Sequence, residues 1–216
     1  MKEAIPAELL IAIDGPAGAG KSTVGRALAA RLGLQYLDTG AMYRAVGCAA
    51  LRRGIPVTDE EAVAQLARTI DLSVSDEGVF VDGEDVTTEI RGREVTTVVS
   101  SVAANPGVRT ELRARQRAWA HDHGGGVIEG RDIGTVVFPD AALKLFVTAS
   151  PQERAARRVR EIGGNVEDVA ASIAERDRRD MSRLDGPLRP DGGAVVVDTT
   201  GIPIDDVVDS IVGMLA

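Results

Sequence analysis

The stretch IDGPAGAGKSTVGRALAARLG (residues 13–33) decides the fold, because it places a glycine-rich turn between an apolar run and a helical pattern. The run LLIAI (residues 9–13) is apolar throughout, as is typical of a buried parallel strand. The segment after the turn, KSTVGRALAARL (residues 21–32), has helical periodicity, and the N-terminus of a helix attracts anions. The turn is therefore predicted to bind phosphate.

The residues of this turn suit separate tasks. Gly15, Gly18 and Gly20 allow a tight loop whose backbone N–H groups point inward. Lys21 adds a point charge and Ser22 a hydroxyl that can reach Mg²⁺. An ordinary glycine-rich turn is the alternative, and the strand and helix on either side argue against it. The turn alone does not distinguish nucleotide hydrolysis, switching and phosphoryl transfer.

Composition limits the classes of function. A chain of 216 residues with 44% hydrophobic residues can bury one substantial core, with a small lobe inserted in it. A net charge of −8 argues against a protein that coats nucleic acid or a membrane surface. Cys48 is the only cysteine, which excludes an intrachain disulfide and a zinc site built on cysteines. Nothing resembles a signal peptide or a membrane span, so we expect a cytoplasmic location.

Strands and helices alternate along most of the chain, which predicts an α/β fold with a parallel sheet wrapped by helices. The predicted core strands cover residues 9–13, 35–37, 127–129, 143–147 and 194–197. Two helices have start signals of the capping-box type, one at Ser150 with Glu153 and one at Thr58 with Glu61.

The region 58–124 interrupts this alternation. It contains LSVSDEGVFVDGEDVTTEI (residues 72–90), where apolar and polar residues alternate around turn signals, as in a small antiparallel hairpin. We interpret 58–124 as an inserted lobe, and 1–57 with 125–216 as the core domain. A disordered acidic linker is the alternative, and the alternation of apolar residues argues against it.

Arginines recur in polar segments, which favours forked recognition of phosphate over bulk positive charge. Two groups share a helix face by their spacing: Arg154, Arg157 and Arg158; and Arg176, Arg179, Asp180 and Arg183. A solvated charged surface is the alternative for both. The two asparagines, Asn105 and Asn165, do not precede a lysine, so the base-reading motif of a Ras-type GTPase is missing. We interpret DTTG (residues 198–201) as a chance match to a switch motif.

Six motifs in compatible order resemble the bacterial cytidylate kinases of the nucleoside monophosphate kinase family, over nearly the whole chain. They are GPAGAGKST from Gly15, YLDTGAMYRA from Tyr36, VSSVAANPGVR from Val99, GRDIGTVVFPDA from Gly130, SPQERAARR from Ser150 and ERDRRDMSR from Glu175. The resemblance implies a P-loop kinase core, a monophosphate-binding lobe at 58–124 and a mobile lid around 150–165.

The resemblance also implies roles for individual residues. Those implied for ATP are Gly15, Gly18, Ala19, Gly20, Lys21, Ser22, Thr23, Arg154 and Arg157, with Ser22 also on Mg²⁺. Those implied for CMP are Thr39, Arg44, Ser100, Arg109, Arg131, Asp132, Arg176, Asp180 and Arg183. Those implied for catalysis are Lys21, Arg131, Arg157 and Arg158. Ser101 is an alternative to Ser100, and the role of Glu129 stays open.

The implied reaction moves the γ-phosphoryl group of MgATP to CMP or dCMP in a monomeric enzyme, with no nucleic acid or membrane partner. The attacking phosphate oxygen of CMP is already anionic, so a general base is not required. Two alternatives stay open at this point: a regulator that binds ATP without catalysis, and a kinase for another small acceptor such as UMP, AMP or shikimate. The alternating His121 and His123 suggest solvent-exposed side chains more than a metal pair.

Overall fold

The computed structural model describes residues 9–215. The strands are β1 (Leu10–Asp14), β2 (Tyr36–Asp38), β3 (Leu72–Ser75), β4 (Gly78–Val81), β5 (Glu84–Asp85), β6 (Gly126–Glu129), β7 (Leu143–Thr148) and β8 (Val195–Asp198). The α-helices are α1 (Lys21–Leu32), α2 (Thr39–Arg52), α3 (Glu60–Thr69), α4 (Arg93–Ala104), α5 (Pro106–Asp122), α6 (Pro151–Ile162), α7 (Val166–Ser182) and α8 (Ile204–Gly213). A 3₁₀ turn covers Glu89–Arg91 and a π-helical turn covers Ile133–Val137.

The main sheet has five strands in the order β2-β6-β1-β7-β8, and its central strand β1 pairs in parallel with both neighbours. All five strands predicted from the sequence are present, each with bounds within one residue of the prediction. The central strands are buried because helices pack on them, which is why their sequences are apolar without alternation. The predicted α/β fold with a parallel sheet is confirmed.

The core of this region forms between β1, α1 and α8. Ile11 and Ile13 of β1 are fully buried with Leu28 of α1 and Ile211 of α8. Fully burying an aliphatic side chain of this size contributes about 1.5–3 kcal/mol each. The N-terminus of α1 therefore has a fixed position at the carboxyl end of β1, where the glycine-rich turn joins them.

The contacts divide the chain into two compact units. The described part of the first unit covers residues 9–36 and 120–215, and the second covers 37–119. The second unit is wider than the predicted lobe at 58–124, because α2 packs on α4 and α3 within it. It also contains an antiparallel sheet in the order β3-β4-β5, as the alternation in 72–90 predicted.

Of the two predicted start signals, the one at Ser150 is confirmed as an N-cap but not as a full capping box, because the Ser150 N–H donates to the Thr200 hydroxyl at 2.8 Å and not to Glu153. The Ser150 side chain accepts a hydrogen bond of 3.2 Å from the Glu153 N–H, with Pro151 at the first position of α6. The other was wrong by one residue: Asp59, and not Thr58, caps α3, because its carboxylate accepts the Ala62 N–H at 3.0 Å. Aspartate is as strong an N-cap as threonine or stronger, and the prediction had considered only Thr58.

Candidate functional site

The phosphate loop (residues 15–22) connects β1 to α1 and needs glycine at its start. Gly15 has φ 150°, and a Cβ atom there would lie 1.9 Å from the Val147 backbone oxygen. Gly20 caps α1 in the left-handed region, at φ 89°. The first turn of α1 therefore presents free N–H groups at the loop, the arrangement that binds phosphate. Ala19 is buried in the loop, and Thr23 is exposed on α1.

Lys21 is buried at the N-terminus of α1, and its Nζ donates to the Pro16 carbonyl at 2.8 Å. Burial, together with the positive charges of Arg131 and Arg176, lowers the pKa of Lys21 to about 7, while Glu129 and Asp14 oppose the shift. Phosphate anions at the loop would favour the charged ammonium again. The Lys21 side chain is thus held within the loop, at a place where a bound phosphate would stabilise its charged form.

Ser22 and Tyr36 donate hydrogen bonds to the same carboxylate. The Ser22 hydroxyl lies 2.6 Å from Glu129 Oε1, and the Tyr36 hydroxyl lies 2.7 Å from it. Glu129 ends β6 and is buried. A hydroxyl beside a carboxylate is a set of hard oxygen atoms of the kind that Mg²⁺ prefers. Residues 9–215 contain no cluster of three or more histidine, cysteine, aspartate or glutamate side chains that could hold a metal by themselves.

Asp14 fixes the segment that follows β6, a role that we did not predict. Its two carboxylate oxygens accept the backbone N–H groups of Ile133 and Gly134, each at 2.8 Å. Burial raises the pKa of Asp14 to about 6, and these two hydrogen bonds oppose the rise. The contact orients the turn immediately after Arg131 and Asp132, so the positions of these two predicted site residues depend on β1.

A cluster of arginines surrounds Asp180 in the first unit. Arg131 Nε lies 3.0 Å from Asp180 Oδ2, and Arg183 Nη2 lies 3.3 Å from Asp180 Oδ1. Burial opposes the ionisation of Asp180, but Arg131, Arg183 and Arg176 outweigh it and hold its pKa below the usual range. The structure thus brings four predicted residues together. Arg179, on the same predicted helix face, pairs with Glu175 instead and is mostly exposed.

The three arginines of α6 that were predicted as site residues separate into two kinds. Arg154 and Arg157 donate to the backbone carbonyls of Ala17 and Ala19 in the phosphate loop, at 3.0 and 3.3 Å. Arg158 pairs with Glu161 on its own helix, at 2.9 Å. The structure therefore brings Arg154 and Arg157 to the loop, whereas Arg158 has a local partner.

The second unit holds its own set of predicted residues. Arg44 pairs with Asp38 at 2.6 Å, and Asp38 also caps α2 by accepting the Ala41 N–H at 3.0 Å. Burial opposes the ionisation of Asp38, but Arg44 outweighs it and lowers the pKa. Thr39 is buried next to this pair. Asp38 was missed by sequence reasoning, although an acid directly before a helix is a capping signal.

The remaining predicted residues of this unit lie on α4 and α5. Arg109 is almost fully buried on α5, and its Nη1 donates to the Ala103 carbonyl at 3.1 Å. Of the two serines considered, Ser100 is half-buried on α4 and Ser101 is exposed. Asp132, which belongs to the first unit, is buried with 6% of its surface exposed.

The amino-acid sequence matches a known protein family over nearly its whole length. A family model for cytidylate kinase matches residues 11–216. The chain belongs to the cytidylate kinase family.

Two relatives illustrate the range of this family. A cytidylate kinase from Pelotomaculum thermopropionicum is 50% identical over 95% of this chain and 95% of its own length. A bifunctional pantoate ligase/cytidylate kinase from a Synechococcus species is 53% identical over 96% of this chain. This chain spans 40% of the length of that bifunctional relative.

Solved structures of lower identity show the same fold. A gluconokinase from Sinorhizobium meliloti 1021 superposes with a TM-score of 0.51 at 16% identity, over 95% of this chain and 90% of that chain. Across residues 9–215, helices with the length and hydropathy to cross a bilayer are absent.

Proposed function

We propose that this chain transfers the γ-phosphoryl group of ATP to CMP, and also to dCMP, giving CDP or dCDP and ADP. The observation that carries the proposal is the family match over 11–216 together with a complete phosphate loop. Arg44, Arg131 and Arg183 bind the phosphate of CMP, because guanidinium groups match phosphate oxygens in a forked geometry. Arg176 and Asp180 bind the sugar hydroxyls.

The reaction needs position and charge more than proton transfer. Lys21 and the phosphate loop hold the ATP phosphates, and the CMP phosphate attacks in line without a general base. Arg131, Arg157 and Arg158 stabilise the charge that spreads over the transferring group. For Arg158 this requires leaving Glu161, its partner at 2.9 Å.

Mg²⁺ fits the residues at the loop. The Ser22 hydroxyl is the proposed ligand, and Glu129 accepts a hydrogen bond of 2.6 Å from it and so orients the oxygen. Bound at Ser22, Mg²⁺ would supply positive charge that offsets the charge of the phosphates. Substitution of Ser22 by alanine is expected to raise the Mg²⁺ concentration needed for half-maximal activity.

The cytosine base is the proposed target of Asp132, Ser100 and Arg109. A carboxylate accepts a hydrogen bond from the exocyclic amino group of cytosine, whereas uracil presents a carbonyl oxygen there. CMP is therefore expected to be a better acceptor than UMP. The sugar and phosphate contacts do not distinguish the two nucleotides.

We also propose that residues 150–165 form a lid, which is anchored on the phosphate loop by Arg154 and Arg157 and moves through the residues that follow them. We propose in addition that 58–124 forms the monophosphate-binding lobe and that the enzyme is a cytoplasmic monomer. A lid excludes water, which would otherwise accept the phosphoryl group. ATP analogue and CMP together are expected to protect 150–165 from hydrogen exchange more than either ligand alone. Equal protection of 150–165 with and without the ligands would show that this segment is a fixed helix.

Light scattering on the purified protein tests whether it is a monomer.

The assay for the function measures ADP release from MgATP with CMP, dCMP, UMP, AMP, shikimate or gluconate as acceptor. We expect turnover with CMP and dCMP, slower turnover with UMP, and background rates with the others. Release of ADP without an acceptor would instead indicate an ATPase. Binding of ATP with no turnover of any acceptor would indicate a regulator.

A further inference from the structure

Two buried polar residues outside the predicted site, Asp177 and Thr199, hold the arginines that contact the phosphate loop. Asp177 lies on α7 and Thr199 directly follows β8, and they are only 5% and 4% exposed. Asp177 was not a candidate, and Thr199 belongs to the DTTG stretch that we interpreted as a chance match. Apolar packing does not explain why these two polar residues are buried. Buried polar groups are normally hydrogen-bonded, so the partners of Asp177 and Thr199 indicate what the two residues do.

Asp177 binds the loop and an arginine at the same time. Its Oδ1 accepts the backbone N–H of Ala17 at 3.2 Å, and its Oδ2 forms an ion pair with Arg154. Arg154 in turn donates to the Ala17 carbonyl at 3.0 Å. The carboxylate and the guanidinium therefore hold both peptide groups of Ala17, and both side chains are about nine-tenths buried.

Thr199 makes the corresponding contacts with Arg157 and with Ala19 of the loop. Its hydroxyl accepts a hydrogen bond from Arg157 Nη1 at 2.9 Å, and its backbone carbonyl accepts one from Arg157 Nη2 at 2.8 Å. The single hydroxyl proton is shared between two carbonyl acceptors, Ala19 at 3.0 Å and Thr148 at 3.1 Å. Thr199 thus connects two strand ends, the loop and Arg157.

We propose that Asp177 and Thr199 are positioning residues for the phosphoryl donor, which fix the phosphate loop through Arg154 and Arg157 before ATP binds. The inference rests on the proposed function in taking the donor to be ATP. Its physical basis is that a binding loop held in its bound shape loses less conformational entropy when the ligand arrives. A displacement of about 1 Å at such a site costs up to a hundredfold in rate.

Three variants, two at Thr199 and one at the neighbouring Thr200, test the role of Thr199. Thr199→Val keeps the shape and removes the hydroxyl, and Thr199→Ser keeps the hydroxyl. Thr200→Val makes the same change one residue later, at an exposed hydroxyl that contacts Asp198 and the Ser150 N–H but not the loop. If Thr199→Val does not fold, Thr199→Ala compared with Thr199→Ser replaces it.

Asp177→Asn tests the carboxylate. The amide oxygen can still accept the Ala17 N–H, but the charge that holds Arg154 is lost. The matched control is Asp168→Asn, the same change in the first turn of the same helix, at an exposed position.

The measurements are the dissociation constants of MgAMPPNP and of CMP, each titrated alone by calorimetry, and the kcat of the forward reaction. We expect Thr199→Val and Asp177→Asn to weaken MgAMPPNP binding by roughly tenfold and to lower kcat, with CMP binding unchanged. Thr199→Ser restores MgAMPPNP binding, and both controls match the wild type.

A merely structural role gives a different result. It lowers the melting temperature of the variants but leaves MgAMPPNP binding unchanged, or it weakens MgAMPPNP and CMP binding equally. Either outcome overturns the proposal. A wild-type chain that binds MgAMPPNP but does not phosphorylate CMP refutes the proposed function and leaves the binding test of Asp177 and Thr199 intact.

Discussion

Two networks of arginine and carboxylate side chains differ in their surroundings. In the first unit, the side chains of Arg131, Asp180 and Arg183 are 18%, 9% and 11% exposed. In the second unit, Arg52 pairs with Glu84 and Glu89, and the corresponding values are 35%, 73% and 45%.

The comparison shows that a network of charged side chains indicates a functional role when it is buried. Removing charged groups from water costs several kcal/mol per ion, and ion pairing often fails to recover that cost. A buried network with more arginines than carboxylates therefore suggests a role beyond stability, such as holding an anion. The exposed network loses little solvation free energy and gains little from ion pairing, so its presence does not indicate a role in binding an anion.

The largest effect is expected at Lys21, whose pKa the buried arginines help to lower. Lys21→Ala should reduce kcat roughly a hundredfold to a thousandfold, the loss typical of one transition-state contact. The fold should persist, because the side chain points into the loop. Lys144→Ala, which removes a lysine that pairs with Asp191, is the control. Full activity in a folded Lys21→Ala protein would remove the phosphate loop from the mechanism.

The next effect concerns the centre of the buried network. Asp180→Asn removes the carboxylate that positions Arg131 and Arg183 and that is proposed to bind the sugar hydroxyls, so kcat/KM for CMP should fall roughly thirtyfold, which corresponds to about 2 kcal/mol. The KM for MgATP should change little. Steady-state kinetics with each substrate varied in turn measures both. Equal losses for the two substrates would mean that Asp180 supports the whole domain and not the CMP site.

Asp132→Asn is expected to act on the choice of base. It should weaken the use of CMP by about 1–3 kcal/mol, the cost of damaging a buried charged hydrogen bond. UMP should lose less, because the amide of asparagine can donate to the uracil oxygen. The quantity to compare is the ratio of kcat/KM for CMP to that for UMP. An unchanged ratio would mean that Asp132 only orients Arg131.

The smallest effect is expected in the exposed network. Arg52→Gln breaks both of its ion pairs, yet it should leave kcat and both KM values at their wild-type levels. The melting temperature should shift less than in any buried-network variant, because solvent screens these charges. A loss of CMP affinity in this variant would show that exposure does not separate the two networks as we argue.

The sequence predicted the parts of this structure that depend on local pattern. The strands of the main sheet, the turn between β1 and α1, and the capping of α6 by Ser150 all follow from short stretches of residues. Helical spacing placed Arg176, Asp180 and Arg183 together, but it also included Arg179, which pairs with Glu175, and it did not include Arg131. These features are local, because each is encoded within about two turns of helix or one strand.

The parts that escaped prediction are pairings between distant residues. Asp14 contacts the N–H groups of Ile133 and Gly134, and Ser22 contacts Glu129, across more than 100 positions of sequence. No local pattern encodes such a pairing, because it depends on which strands become neighbours. Thr199 was not predicted as a site residue for the same reason: its contacts with Ala19 and Thr148 arise only when β7 and β8 pair.

The most direct test of the central claim compares the binding of CMP and of cytidine to the wild-type protein by calorimetric titration. If Arg131 and Arg183 of the buried network hold the acceptor phosphate, CMP should bind on the order of a thousandfold more tightly than cytidine, since charged hydrogen bonds to phosphate are lost. Equal affinities for CMP and cytidine would contradict the account, because the network would then not bind phosphate.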